Sequence, residues 1–229
     1  MSRIGLLLPS SNTTMEPDFY RMAPRGITVH SARMLLEDVT PESLERMAGE
    51  AERAAMLLAT AGVDIIVYGC TSGSLIRGLE WEASLARKIE EASGTRTVTT
   101  AGAVVEALKA LGALKIRIFT PYAEPVNSLE RAFLEAHGFQ VASIRGLGLV
   151  DNLRIGRVSS AEIEGLVGPG TGADCLFISC TNLPAVPLIQ ALEERHGVPV
   201  VTSNQASLWA ALKRLGGPGV EGYGTLLRD

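Results

Sequence analysis

Short runs of apolar, often β-branched residues alternate along the chain with longer stretches in which apolar positions recur every three or four residues. The short runs predict strands at Arg3–Leu8, Ile27–His30, Asp64–Tyr68, Thr97–Thr99, Lys115–Thr120, Val141–Ile144, Cys175–Ser179 and Val198–Thr202. The longer stretches predict helices, among them Pro41–Ala61, Leu79–Ala92, Ala103–Leu111, Val126–His137, Pro184–Arg195 and Ala206–Leu215. Strands of this kind between helices read as βαβ units around a parallel sheet, so the fold class is α/β. Glycine marks several helix ends: Gly112, Gly138, Gly197 and Gly216 stand where a left-handed residue closes a helix. His137 and His196, just before two of them, suit the negative end of the helix dipole.

The pattern is written twice. Thr97-Val-Thr-Thr100 and the helix ending Ala-Leu-Lys-Ala-Leu-Gly return as Val201-Thr-Ser-Asn204 and a helix ending Ala-Leu-Lys-Arg-Leu-Gly, offset by 201 − 97 = 104 residues. Val67-Tyr-Gly-Cys70-Thr71 returns as Phe177-Ile-Ser-Cys180-Thr181, offset by 177 − 67 = 110. Leu6-Leu-Leu-Pro9 parallels Ile118-Phe-Thr-Pro121. Each half is expected to hold about four strands, with a cysteine at the end of the third. The first half takes residues 1–113, with 217–229 as a segment able to complete it, and the second takes 114–216. Two such halves imply a cleft between them, and ligands of open α/β sheets bind beyond the carboxyl ends of the strands.

Composition narrows the functions. Hydrophobic residues make up 46% and charged residues 20%, an ordinary globular balance. A net charge of −4 without any basic run argues against nucleic acid or a membrane surface as partner. The first residues are too short and broken for a signal peptide, and no apolar stretch approaches a membrane span. Three cysteines without zinc-site spacing read as reduced thiols in a cytoplasm, and no metal is expected. Gly168-Pro-Gly-Thr-Gly-Ala-Asp174 precedes a strand, whereas phosphate loops follow one, so it reads as a turn. No strand is followed by G-x-G-x-x-G, so a dinucleotide cofactor has no support.

The chemistry-bearing positions fall at strand ends. Cys70 and Cys180 each sit where a buried strand meets a loop of small and hydroxyl residues, whose backbone N–H groups favour thiolate. Core cysteines occupy such places too, but matched placement in two repeats favours a chemical role. Cys175 opens its strand, faces away from Cys180, and reads as structural. A disulfide or a Cys–His pair is not expected, since His137 and His196 read as helix caps and His30 as a strand residue. Asn12, in Pro9-Ser-Ser-Asn-Thr-Thr14, is either a helix cap or a carboxylate grip. Tyr122 is its counterpart, since 70 − 12 and 180 − 122 are both 58 residues. Asn152 lies in the loop after the second strand of the second half.

Pro9-Ser-Ser-Asn-Thr-Thr-Met-Glu16, Tyr68-Gly-Cys-Thr-Ser72, Thr120-Pro-Tyr122, Asp151-Asn152 and Ser179-Cys180 together resemble the aspartate/glutamate racemase superfamily. The closest branch is that of maleate cis–trans isomerases and arylmalonate decarboxylases, and the resemblance covers nearly the whole chain. It implies two flavodoxin-like halves with four-stranded parallel sheets, related by a pseudo-twofold axis. It also implies a cofactor-free site in the cleft and a cysteine from each half facing the substrate. By position, Cys70 and Cys180 match the two cysteines. Asn12, Tyr122 and Asn152 match residues that hold carboxylates in maleate isomerases. Thr71 and Ser72 match the anion-holding pair of the decarboxylases, and Thr181, which follows Cys180, is grouped with them as substrate-binding. Arylmalonate decarboxylases have glycine where this chain has Cys70. Maleate isomerases often have apolar residues where it has Thr71-Ser-Gly-Ser74.

The resulting expectation is conversion of maleate to fumarate, with Cys70 adding to the alkene and Cys180 moving the proton. The substrate class is a small carboxylate or dicarboxylate. A two-cysteine amino-acid or hydantoin racemase and an arylmalonate-type decarboxylase use the same residues. A non-catalytic dicarboxylate-binding protein is the reading from another class. Homo-oligomerisation is left open.

Overall fold

The computed structural model describes residues 1–170 and 172–228. Thr171, within the glycine-rich turn, and Asp229, at the end of the completing segment, lie outside the described residues. The first half runs β1 (Ser2–Pro9), α1 (Met15–Met22), β2 (Ile27–Met34), α2 (Pro41–Ala48), α3 (Ala51–Thr60), β3 (Ile65–Tyr68), α4 (Thr71–Leu75), α5 (Leu79–Ser93), β4 (Thr97–Thr99) and α6 (Thr100–Ala110). The second runs β5 (Lys115–Tyr122), α7 (Glu124–Ala136), β6 (Gln140–Leu149), α8 (Asn152–Ile155), α9 (Ser160–Val167), β7 (Cys175–Ile178), a 3-10 turn (Val186–Leu188), α10 (Ile189–His196), β8 (Val200–Thr202) and α11 (Ser203–Leu215).

Both sheets are four-stranded and parallel, with orders β2-β1-β3-β4 and β6-β5-β7-β8. The second order is the first advanced by four strands, so the repeat in the sequence is a repeat of topology, of the flavodoxin-like kind. Helices cover both faces, which is why β3 (Ile-Ile-Val-Tyr) and β7 (Cys-Leu-Phe-Ile) are buried at every position. The sheets continue to the site: β1 and β5 run to Pro9 and Tyr122, past the predicted ends.

The predicted helix Pro41–Ala61 is two helices, broken after Ala48. Gly49 and Glu50 keep helical dihedrals, yet Ala51 starts a new element. The apolar period continues through the break, so periodicity alone does not reveal it. Proline explains a second difference. Pro187 cannot donate the backbone hydrogen bond that a helix begun at Pro184 would need there, and the predicted helix Pro184–Arg195 settles only at Ile189, after the 3-10 turn that contains it. The four glycines expected to close helices all have positive φ, between 66° and 92°. The charge argument for His137 does not hold: its ring packs edge-on against Phe133, and burial with nearby Lys109 favours the neutral imidazole.

The halves meet through their last helices. On α6 and α11, Ser207 Oγ donates to Thr100 Oγ1 at 3.1 Å, and Arg214 pairs with Glu106 at 2.6 Å. The segment after α11 touches both halves: Tyr223 Oη donates to the Arg21 carbonyl, and Thr225 N–H to the Glu193 carboxylate. Among the described residues, no helix is long and apolar enough to cross a membrane.

Candidate active site

All eight residues singled out from the sequence lie at carboxyl ends of strands, and none is more than 7% exposed. The site is therefore closed to solvent in this conformation. Two backbone hydrogen bonds stitch the loops above it: Val39 N–H to the Val150 carbonyl at 2.8 Å, and Asn152 N–H to the Glu37 carbonyl at 3.1 Å.

Cys70 caps α4. Its extended backbone turns the sulfur over the helix start, where it accepts the Gly73 N–H at 3.3 Å and lies 3.7 Å from Ser72 Oγ. Gly69, just before it, is needed for close approach, since a Cβ there would lie 2.6 Å from Met15 Sδ. The expected thiolate-favouring field is outweighed. Burial pushes the Cys70 thiol up, and the Gly73 and Ser72 contacts only partly oppose it. One N–H from a five-residue helix replaces much less than the water that is lost.

Cys180 follows β7 with φ of +102°, the one positive φ of a non-glycine among the described residues. Its sulfur accepts the Asn182 N–H at 3.4 Å. Burial pushes the thiol up to about 12, against the pull of the Tyr122 hydroxyl and the Asn182 N–H, while a charge on Cys70 raises it further. Tyr122 is itself held well above its ordinary range by burial, then by Cys180, Glu130 and Cys70. The phenol thus lies beside the Cys180 sulfur and responds to charge on Glu130 and Cys70.

The neighbouring polar residues divide between site and scaffold. Asn12 does not hold the cap position of α1, which is Thr14, but its Oδ1 serves the helix start by accepting Thr14 N–H and Met15 N–H at 3.0 Å each. One Nδ2 hydrogen goes to Thr181 Oγ1 at 3.0 Å, and the second has no protein partner. Thr181 Oγ1 donates to the Gly69 carbonyl at 3.0 Å, which ties the loop after Cys180 to the residue before Cys70. Thr71 Oγ1 donates to Ser203 Oγ at 2.9 Å, and that oxygen accepts the Cys180 N–H at 3.0 Å. Thr71 and Thr181 therefore join the halves with the hydroxyls assigned to substrate in the sequence reading. Asn152 reaches across to Ser11 Oγ at 2.8 Å and keeps its Oδ1 free of protein donors.

Several residues at the site escaped the sequence reading. Asn182 accepts Thr13 N–H at 2.8 Å and donates to the Asn152 carbonyl at 2.6 Å, pinning three loops at once. Asn204 donates to Asp18 at 2.8 Å and to the Thr181 carbonyl at 3.1 Å. Burial raises the Asp18 carboxyl to about 6. Ser203 and Asn204 were legible only as part of the repeat. Glu130 had a signal: it occupies the apolar register Val126, Glu130, Phe133, Leu134 of α7. His30 pairs with Thr28 on β2, and Cys175 stays in the core with its thiol toward the Leu176 carbonyl. All three cysteines are free, and no metal-holding group of three His, Cys, Asp or Glu occurs among the described residues.

Two buried sulfurs from different halves, a phenol beside one of them and amides with spare hydrogen-bonding groups are equipped for nucleophilic addition and proton transfer on a small anion. Comparison with known proteins agrees with that inventory. The family profile for arylmalonate decarboxylase matches residues 4–227. A maleate isomerase of Pseudomonas putida KT2440 is 34% identical over 241 residues, covering 98% of this chain and 96% of the relative. The maleate isomerase of Pseudomonas putida S16, solved with maleate as a cysteine-to-alanine variant, is 30% identical with a TM-score of 0.95, covering 99% and 97% of the two chains. The Nocardia farcinica maleate cis–trans isomerase, solved as a cysteine-to-serine variant with a covalently bound succinylcysteine intermediate, is 30% identical with a TM-score of 0.94, covering 99% and 98%. With a match from the first strand to the final segment, and structural likeness over the same span, the chain belongs to the arylmalonate decarboxylase family.

Proposed function

We propose that this protein is a maleate cis–trans isomerase in which Cys70 is the nucleophile and Cys180 the acid and base. The observation that carries the reading is the pair of buried sulfurs, one from each half, with Tyr122 beside Cys180. In the working state Cys70 is thiolate and Cys180 thiol. The Cys70 sulfur adds to one alkene carbon of maleate. The π electrons move to the neighbouring carbon and its carboxylate as an enediolate, and the Cys180 proton moves to that carbon. A succinyl thioether results, and its central C–C bond is now single and rotates. Cys180, as thiolate, takes back a proton from the same carbon. The double bond re-forms in the trans geometry, and the Cys70 thiolate leaves. Both sulfurs return to their starting forms, and the scheme draws on no cofactor.

Asn12 and Asn152, each with one Nδ2 hydrogen that has no protein partner, hold the carboxylates and the enediolate together with the hydroxyls of Tyr122 and Ser72, which turn from the sulfurs to the substrate. Thr71 and Thr181 act on the loops that carry the two sulfurs. The presence of Cys70 and a sulfur pair, in place of a single sulfur, favours addition over decarboxylation. We place the enzyme in the cytoplasm, where its three free thiols stay reduced.

Incubation of the pure protein with maleate in D2O, followed by proton NMR, tests this. Growth of the fumarate signal is expected. Unchanged maleate, together with CO2 release from a disubstituted malonate or deuterium wash-in at an amino-acid α-carbon, would overturn it.

A further inference from the structure

Glu130 has no exposed surface, and its position on the apolar face of α7 leaves the carboxyl in dry surroundings. Oε1 accepts the Ser179 hydroxyl at 2.5 Å, and Ser179 directly precedes Cys180. Oε2 has no partner. The side chain lines a gap too narrow for a water molecule, walled by Leu75 of α4, Ala101 and Val104 of α6, and Phe177 of β7. The titratable group that its charge reaches is Tyr122 from β5, whose hydroxyl in turn donates to the sulfur of Cys180 beyond Ser179, and both are acids. The cations on the packed elements point elsewhere. Arg131 of α7 pairs with Glu135 and the β6 carbonyl of Val141, and Lys109 of α6 faces His137 at the far end of α7.

A carboxyl desolvated in this way, with one hydrogen bond and no cation, keeps its proton. Here burial raises it to about 7, against the pull of Ser179. Its ionisation adds a negative charge near the Tyr122 phenol, which responds to it and whose hydroxyl donates to the Cys180 sulfur, the atom that must itself become negative. We propose that Glu130 is a positioning residue for the proton-transfer step: as the neutral acid it allows Cys180 and Tyr122 to handle the proton at the alkene carbon, and its ionisation slows that transfer. The proposal rests on the isomerase reading for its reaction, but its electrostatics do not require a substrate.

Two assays compare wild type with Glu130→Gln, which keeps an oxygen for the Ser179 hydroxyl and cannot ionise. One follows kcat and KM for maleate. The other follows iodoacetamide alkylation of Cys180, resolved by peptide mass spectrometry, and needs no substrate. In both, the variant-to-wild-type rate ratio should be flat at acid pH and rise about tenfold above neutrality, as expected for one like charge acting across a few ångströms of protein. Ser179→Ala, which removes the donor favouring the ionised form, should move the break in the wild-type profile to higher pH. It also serves if the glutamine variant does not fold. A ratio independent of pH in the alkylation assay, or a break unmoved by Ser179→Ala, would overturn the proposal and return Glu130 to packing. A pH-dependent alkylation ratio in a protein that leaves maleate unchanged would count against the isomerase reading alone.

Discussion

Thr181→Val separates a residue that joins two halves from one that grips a substrate. Valine has the shape of threonine without its hydroxyl. In the structure that hydroxyl both accepts from Asn12 Nδ2 and donates to the Gly69 carbonyl, at 3.0 Å each, with all three residues in the closed interior. The substitution leaves a donor and an acceptor buried without partners, each costing about 1–3 kcal/mol, so the expected loss of stability is about 2–4 kcal/mol. With a urea slope of roughly 2–3 kcal/mol/M, suited to a larger domain, the unfolding midpoint should fall by about 1 M. Urea unfolding followed by circular dichroism measures it. Combination with Asn12→Ala should show a coupling of about 1 kcal/mol, because the two substitutions remove a shared bond. Steady-state kinetics on the folded variant complete the test. The displaced Cys70 and Cys180 loops should lower kcat more than they raise KM. A stability change under about 0.5 kcal/mol, together with a tenfold rise in KM, would refute the reasoning and restore Thr181 as a direct substrate contact.

Further outcomes follow from the same geometry. Cys70→Ala should abolish turnover while maleate still binds, measurable by calorimetry, and Cys180→Ser should accumulate a dicarboxylate adduct on Cys70, visible in the intact mass. Tyr122→Phe should lower kcat by about 1–3 kcal/mol of transition-state free energy with little change in KM, as stopped-flow or steady-state rates will show. Because burial raises the Cys70 thiol, kcat in Glu130→Gln, which lacks the opposing ionisation, should climb with pH through neutrality, and a profile of that variant falling from pH 6 upward would contradict the assignment of a thiolate nucleophile. Asp18, raised to about 6 when folded, ionises more readily in the unfolded chain, so its ionisation opposes folding. The stability of Asp18→Asn relative to wild type should rise between about pH 4 and about pH 6, by roughly 3 kcal/mol, and level off above, in thermal melts across that range.

Much of the architecture was open to reading from the chain because each strand is a compact apolar run and the chain repeats itself. The equal 58-residue spacings from Asn12 to Cys70 and from Tyr122 to Cys180 mark two strand ends brought to one cleft. Short helices were less visible. Thr-Ser-Gly-Ser-Leu of α4 has no apolar period and exists because Cys70 caps it and the second half packs over it. Roles inside the site were harder still. Asn12, Thr71 and Thr181 look alike as small polar residues after strands, and only the fold decides which hydrogens are spent on neighbouring loops. Glu130 could have been found, since a carboxylate in the apolar register of a helix demands an explanation.

The backbone of Cys180 carries a consequence of its own. Its φ lies where a side chain is unwelcome, and the surrounding loop holds it there. In most helices and strands alanine is the more stable choice over glycine, but at this position the order should invert. Of two sulfur-free replacements, Cys180→Gly should melt above Cys180→Ala by about 1 kcal/mol in stability. Thermodynamics alone would favour the smallest residue at position 180, and a thiol is kept there in spite of it.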